Sequence, residues 1–184
     1  MLKDRTGEYR LLMVGGGLGA SDPTNRATAQ ALDRLAGELG VKDELLWTGY
    51  LGPQEVSAAL LSSDIAVLPY ADGASFRRGS LLAVLEHGLP VITTMPETGR
   101  EASRGSNGQR EWPELVDGEN AVLVLPGDVD GLASAVEKVA SDADLRARLA
   151  EGAAKVAQFF SWARIAGSHA DLYTRLMRSR VDQG

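Results

Sequence analysis

The chain has no cysteine. Disulfide frameworks, thiolate metal sites and cysteine nucleophiles are thereby excluded, and the composition suits a cytoplasmic protein. Histidine is nearly as scarce. His87 and His169 are too few and too far apart to suggest a zinc site. No apolar run approaches the ~20 residues needed to span a bilayer. The opening stretch, MLKDRTGEYR, is polar and lacks the apolar core of a signal peptide. Basic charge is not in excess: 19 Lys and Arg against 25 Asp and Glu leave a net charge of −6. A nucleic-acid binder needs a broad basic face, so nucleic acid is not an expected partner. There is no internal repeat and no low-complexity tract.

What remains is 184 residues with 44% hydrophobic and 24% charged side chains, the profile of one ordinary globular domain with a real core. The opening reads as the tail of a helix, since Gly7 follows basic residues and a strand comes next. A chain that starts in this way is expected to be a piece of something longer.

YRLLMVGGG (9–17) is an apolar run closed by glycines and predicts a buried strand. Ser21, Asp22, Pro23 and Thr24 signal a helix start. Leu32, Leu35, Ala36 and Leu39 follow at helical spacing up to Gly40. ELLWTG (44–49) is a second strand, and Pro53 suits the first position of the next helix. DIAVLPY (64–70), LPVITT (89–94) and NAVLVLP (120–126) are three more strands. A helix over 80–87 separates the first two of these, and a Gly-, Ser- and charge-rich loop fills 96–111. Helices are expected from Asp128, from Ser141 and after Ser161, the last with Trp162, Ile165, His169, Leu172 and Leu176 on one face. The sheet and its crossover helices thus occupy 8–127 and the C-terminal helices 128–178, within a single domain over 1–184. Apolar strands alternating with helices mean βαβ units: an α/β, doubly wound parallel sheet covered on both faces. Ligands bind such sheets at the carboxyl ends of the strands.

Residues 75–94, SFRRGSLLAVLEHGLPVITT, put two arginines, a glycine and a serine directly before an apolar helix. A helix N-terminus offers unpaired N–H groups and about half a positive charge, which repels cations. Arg77 and Arg78 there, with Gly79 allowing close approach and Ser80 adding a hydroxyl, make an anion site for phosphate or diphosphate. The plainer reading is a solvated basic loop with Ser80 as an ordinary N-cap. GGGLGA (15–20) fits G-x-G-x-x-A, but helix signals come only after Pro23, so a flexible ligand-approach loop is preferred to a dinucleotide fingerprint. His169 lies on an apolar stripe and reads as a core or interface histidine. His87 sits in the last turn of its helix, where a cation suits the dipole. Trp47, Trp112 and Trp162 are read as core or rim residues, and Glu86 as either a solvated carboxylate or a ligand contact.

LLMVGGG, GVKDELLWTGYL, SSDIAVLPY, LEHGLPVITT, ELVDGENAVLVLPGDVDGLASAV and FFSWARIA together resemble successive segments of the donor domain of retaining GT-B glycosyltransferases of family 4, from about Tyr9 to Leu176. The resemblance implies a Rossmann-like sheet of order 3-2-1-4-5-6 that binds a nucleotide-diphosphate sugar. The diphosphate would meet Arg77, Arg78, Gly79, Ser80 and Leu81. The donor sugar would lie near Ser75, Phe76, Gly15 and Gly16. The base and ribose would lie near Gly49, Tyr50, Leu51, Ala83 and Glu86.

Three departures from the family pattern stand out. Its two glutamates, seven residues apart, fall on Ser75 and Ala83, so neither carboxylate is present. Its acceptor-binding domain has no counterpart in the chain. Its first donor-domain strand, in the middle of the sheet, would precede Met1. The gap is then closed by collapse, filled by a second copy in a homo-oligomer, or left with two open edges.

The implied function is the donor half of a glycosyltransferase acting with retention and inactive as an isolated chain. The nucleotide sugar is a co-substrate, no cofactor or metal is implied, and no catalytic residue is assigned. Peripheral membrane association is implied for the full enzyme. The alternatives are a non-catalytic nucleotide or nucleotide-sugar binding module and, on the glycine run alone, an NAD-dependent oxidoreductase.

Overall fold

The computed structural model describes residues 9–15, 23–96 and 113–181. The chain divides into two compact units, Met1–Ser63 and Asp64–Gly184. The first contains β1 (Leu11–Met13), α1 (Pro23–Glu38), β2 (Leu45–Trp47) and α2 (Pro53–Leu61). Its strands pair in parallel, Leu12 opposite Leu46. Pro53 opens α2, where its missing N–H is no loss, and the Gly52 N–H donates to Glu55 Oε2 at 2.7 Å.

The second unit contains β3 (Ala66–Leu68), α3 (Gly79–Glu86), β4 (Val91–Thr94), β5 (Val122–Val124), α4 (Val129–Ser141), α5 (Ala143–Ala157) and α6 (Trp162–Val181). Its sheet has the order β3-β4-β5, all parallel, with Val67 opposite Ile92 and Thr93 opposite Leu123. α4 and α5 begin at aspartates: Gly131 N–H donates to Asp128 Oδ1 and Leu145 N–H to Asp142 Oδ1, both at 2.8 Å. Ile92, Val122, Val124, Ala135, Val139, Leu145 and Leu149 form the core between β4, β5, α4 and α5. α5 also packs on α3, whose Leu81, Val84 and Leu85 are buried. Full burial of each such side chain is worth about 1.5–3 kcal/mol. The apolar helix after the arginines is therefore a buried support.

Every expected strand forms, and all named pairs are parallel, as an α/β fold requires. The expected sheet is interrupted, as the gap implied by the family resemblance allows. The described strands form two hydrogen-bonded groups, β1-β2 and β3-β4-β5. Joining them would take a strand that pairs with both groups, and no described segment supplies it.

Burial decides two further points. Trp47 is 48% and Trp162 85% exposed, which excludes the core half of the core-or-rim reading for both; Trp112 lies outside the described residues. His169 is exposed, its Nδ1 donating to Ile165 O at 2.8 Å, and Leu172, Tyr173, Leu176 and Met177 on α6 are exposed with it. The helical stripe is there, but from His169 onward its residues are exposed.

Candidate functional site

The loop from β3 to α3 is built on β4. Thr93 and Thr94 are buried and point hydroxyls at the main chain: Thr93 Oγ1 donates to Leu68 O at 2.7 Å, and Thr94 Oγ1 to Tyr70 O at 2.8 Å. Ala74 N–H donates back to Thr94 O at 3.2 Å. Gly73 turns this loop with φ 82°, a conformation that suits glycine. The loop thereby gains fixed supports on both sides of its turn.

Arg78 is the residue before α3 and has extended backbone angles, φ −88° and ψ 114°. Its guanidinium makes an ion pair with Asp72 through Nη2. Its Cζ also lies over the Tyr70 ring, 4.2 Å from the centroid. Its Nε is buried without a hydrogen-bond partner. The Tyr70 hydroxyl in turn meets Ser80 Oγ at 2.7 Å. Asp72, Arg78, Tyr70 and Ser80 thus form one connected polar network. Arg77 is exposed, and its side chain has no partner among the described residues.

Arg78 has no acceptor with which to cap the helix. Its carbonyl accepts from Leu81 N–H at 3.1 Å and Leu82 N–H at 3.2 Å, so the Leu81 N–H is engaged within the helix and its side chain is buried. The N–H groups of Gly79 and Ser80 have no acceptor among the described residues. A Cβ added at Gly79 would meet nothing within 4 Å, so the backbone is open at that point. The result is a short arc of donors, two N–H groups and a hydroxyl, at the positive end of a buried helix.

The other expected residues fall in three places. Ser75 is half-buried, and the Phe76 ring packs on Phe160, with centroids 4.9 Å apart. Ala83 is half-buried, its carbonyl accepting from His87 Nδ1 at 2.7 Å, and Glu86 is exposed at the end of α3. Within the first unit, Gly15 and Gly49 come together beyond β1 and β2 as an antiparallel bridge. Gly15 N–H donates to Thr48 Oγ1 at 3.1 Å. Tyr50 is 90% exposed beside them, and Leu51 is half-buried. Gly16 lies outside the described residues.

Two open hollows of about 390 Å³ each lie in the second unit, one lined by Met95, Asp128 and Lys138 and the other by Asn120, Arg148 and Phe159. No expected site residue lines either. No group of His, Cys, Asp and Glu suited to a metal ion occurs among the described residues. No described helix is long and apolar enough to cross a membrane.

Sequence reading singled out the arginines, Gly79 and Ser80 but not Asp72 or Tyr70, which hold Arg78. The available signal was an acid and an aromatic within eight residues of an arginine pair, in one loop between strand and helix.

Parallel strands whose carboxyl-end loops lead into helix starts define an α/β protein, a class whose sheets take ligands at the strand ends. Residues 1–142 match the family described as glycosyl transferases group 1, and the chain belongs to that family. It is 30% identical over 149 residues to an MMP alpha-(1->4)-mannosyltransferase of Mycolicibacterium hassiacum, covering 78% of this chain and 32% of that protein. It is 27% identical over 183 residues to a D-inositol 3-phosphate glycosyltransferase of Streptomyces avermitilis, covering 97% of this chain and 36% of that protein. The chain therefore spans about a third of the length of these curated relatives.

Among solved structures, Anabaena HepE in complex with UDP is similar with a TM-score of 0.72 and 17% identity, over 91% of this chain and 41% of that one. A glycosyltransferase from Rickettsia africae is similar with a TM-score of 0.70 and 16% identity, over 96% of this chain and 42% of that one. These likenesses bear on the fold. The family match sets aside the oxidoreductase alternative.

Proposed function

We propose that residues 1–184 are the donor-binding portion of a glycosyltransferase that moves a sugar from a nucleotide diphosphate to an acceptor with retention. The observation that carries this reading is the start of α3, where the N–H groups of Gly79 and Ser80 have no acceptor among the described residues and stand beside an arginine pair. Charge developing on a departing diphosphate is stabilised by fixed donors of this kind. Arginines and helix dipole then do this without a metal or a bound cofactor.

HepE has been solved with UDP and with UDP-glucose, which supports a nucleotide-sugar ligand here. Ser75, Phe76, Gly15 and Gly16 are proposed toward the sugar, and Gly49, Tyr50, Leu51, Ala83 and Glu86 toward the base and ribose. The acceptor would be held by a domain outside this chain. The setting is cytoplasmic, with the complete enzyme at a membrane surface, and the two strand groups offer edges through which copies can associate.

A second reading has its own support. Ser75 and Ala83 stand where the family resemblance expects carboxylates, so the chain can be a nucleotide-sugar binding module without turnover. Calorimetric titration with UDP, UDP-glucose, uridine and NAD separates these readings, followed by a transfer assay. Binding of the diphosphates over uridine and NAD is expected, with no transfer by the purified chain alone. Preference for NAD, or equal binding of uridine and UDP, would overturn the donor-site reading. Robust transfer would overturn the partial-enzyme reading.

A further inference from the structure

Arg77 and Arg78 are neighbours in sequence and opposites in environment. Arg78 is neutralised by Asp72, lies on the face of Tyr70 and is one-third exposed. Arg77 is exposed and has no partner among the described residues. We propose that the two arginines divide the work, an inference that rests on the donor-site reading above. Arg78 is a positioning residue that clasps Asp72 and Tyr70, and Arg77 is the cation that contacts the diphosphate.

Three physical arguments lead to this assignment. For Arg78 to turn to a phosphate it must leave both Asp72 and the Tyr70 ring, and Asp72 would then remain as an unpaired carboxylate near an incoming anion. Arg77 gives up nothing but rotamer freedom. The second argument is the helix field. Both cations stand at the positive end of α3, where a positive charge is unfavourable. Asp72 offsets that repulsion for Arg78, while Arg77 bears it until an anion arrives, so an anion gains most by meeting Arg77. The third is the clasp itself. Tyr70 carries Arg78 on its ring and Ser80 on its hydroxyl, and its carbonyl is held by Thr94. Holding Arg78 therefore fixes the Ser80 hydroxyl beside the N–H groups of Gly79 and Ser80, which have no acceptor among the described residues.

The test uses the full chain with inorganic pyrophosphate and UDP as probes and uridine as control. Arg77→Gln is expected to weaken pyrophosphate binding about ten- to a hundredfold with Tm unchanged, because bonds between charged groups are the strong ones. Arg77→Lys should recover most of that loss, since a point charge suffices. Arg78→Gln is expected to lower Tm and to weaken pyrophosphate less than Arg77→Gln does. Arg78→Lys should not restore Tm, because lysine lacks the planar fork that matches Asp72 and Tyr70.

Should the Arg78 variants fail to fold, the wild-type protein decides. In ¹⁵N NMR the Arg77 Nε–H signal is expected to move with pyrophosphate, while the buried Arg78 Nε–H is visible beforehand and stays in place. Movement of Arg78 alone, or wild-type affinity in Arg77→Gln, overturns the division. Failure of the wild-type chain to bind either UDP or pyrophosphate instead overturns the donor-site reading, and this inference with it.

Discussion

β2 and β4 are short strands of opposite fortune. β2 is Leu-Leu-Trp and β4 is Val-Ile-Thr-Thr, so composition alone would bury β2 more deeply. The structure does the reverse: Leu46 is 43% and Trp47 48% exposed, whereas Thr93 and Thr94 are 0% and 2% exposed. β4 is paired on both sides, by β3 and β5, and lies within the core of its unit; among the described residues β2 pairs with β1 alone. Burial follows the number of covered sides more closely than hydrophobicity. The best-covered strand, β4 in the second unit, is the one that holds the candidate anion loop.

The sharpest way to break this comparison is a pair of matched truncations. Ile92→Ala should cost about 2–5 kcal/mol, since its side chain is fully buried. Leu46→Ala, at a partly exposed position, should cost about 1 kcal/mol or less. Urea denaturation followed by circular dichroism measures both, and equal losses would show that the two strands are equally supported. A glycine pair within the second unit gives the next effect. A Cβ at Gly152 would lie 2.2 Å from Glu119 O and 2.8 Å from the Asn120 Cα, so Gly152→Ala should cost about 1–3 kcal/mol. Gly79→Ala has open space and should hold or slightly raise Tm, by up to about 1 kcal/mol of stability. A larger loss at Gly79 than at Gly152 would reverse the assignment of packed and open backbone.

The smallest effect belongs to an exposed pair on α5. Lys155 bonds Glu151 at 2.7 Å, and this hydrogen bond and charge hold the Glu151 carboxyl below its ordinary value. A lowered carboxylate stabilises the fold above its unfolded pKa and loses that contribution as pH falls through the lower folded value. Both partners are exposed, so Lys155→Ala should leave Tm unchanged at neutral pH and 0.15 M salt. A clear drop would show that α5 relies on its surface charges.

The strands were legible because each is a short apolar run between turn signals, and Pro53 and Asp128 marked helix starts that the structure keeps. The candidate loop was legible too, since paired arginines ahead of an apolar helix oppose the dipole. What sequence could not reveal depends on partners in space. The resemblance implied a gap in the sheet but not whether it closes, and the described strands stay in two groups, β1-β2 and β3-β4-β5. Asp72 was not singled out, because its role exists only once the chain turns at Gly73 and brings Arg78 to it. His169 shared a stripe with Leu172 and Leu176, but periodicity shows that a face is apolar, not that anything covers it.

The two hydroxyls of β4 also narrow which residues the fold can tolerate there. Thr93 and Thr94 each fill a buried strand position and satisfy a main-chain oxygen, of Leu68 and Tyr70 respectively. Valine would keep the shape but remove one of the two donors on each oxygen, leaving Leu68 O with Tyr70 N–H and Tyr70 O with Gly73 N–H, at a cost of about 0.5–1.5 kcal/mol. Serine would keep the bond but open a methyl-sized void and lose the β-branch that strands favour. Mutational drift or a redesign of this loop must therefore work around two positions that require a β-branched shape, a methyl and a hydroxyl together. Among the twenty amino acids only threonine has all three.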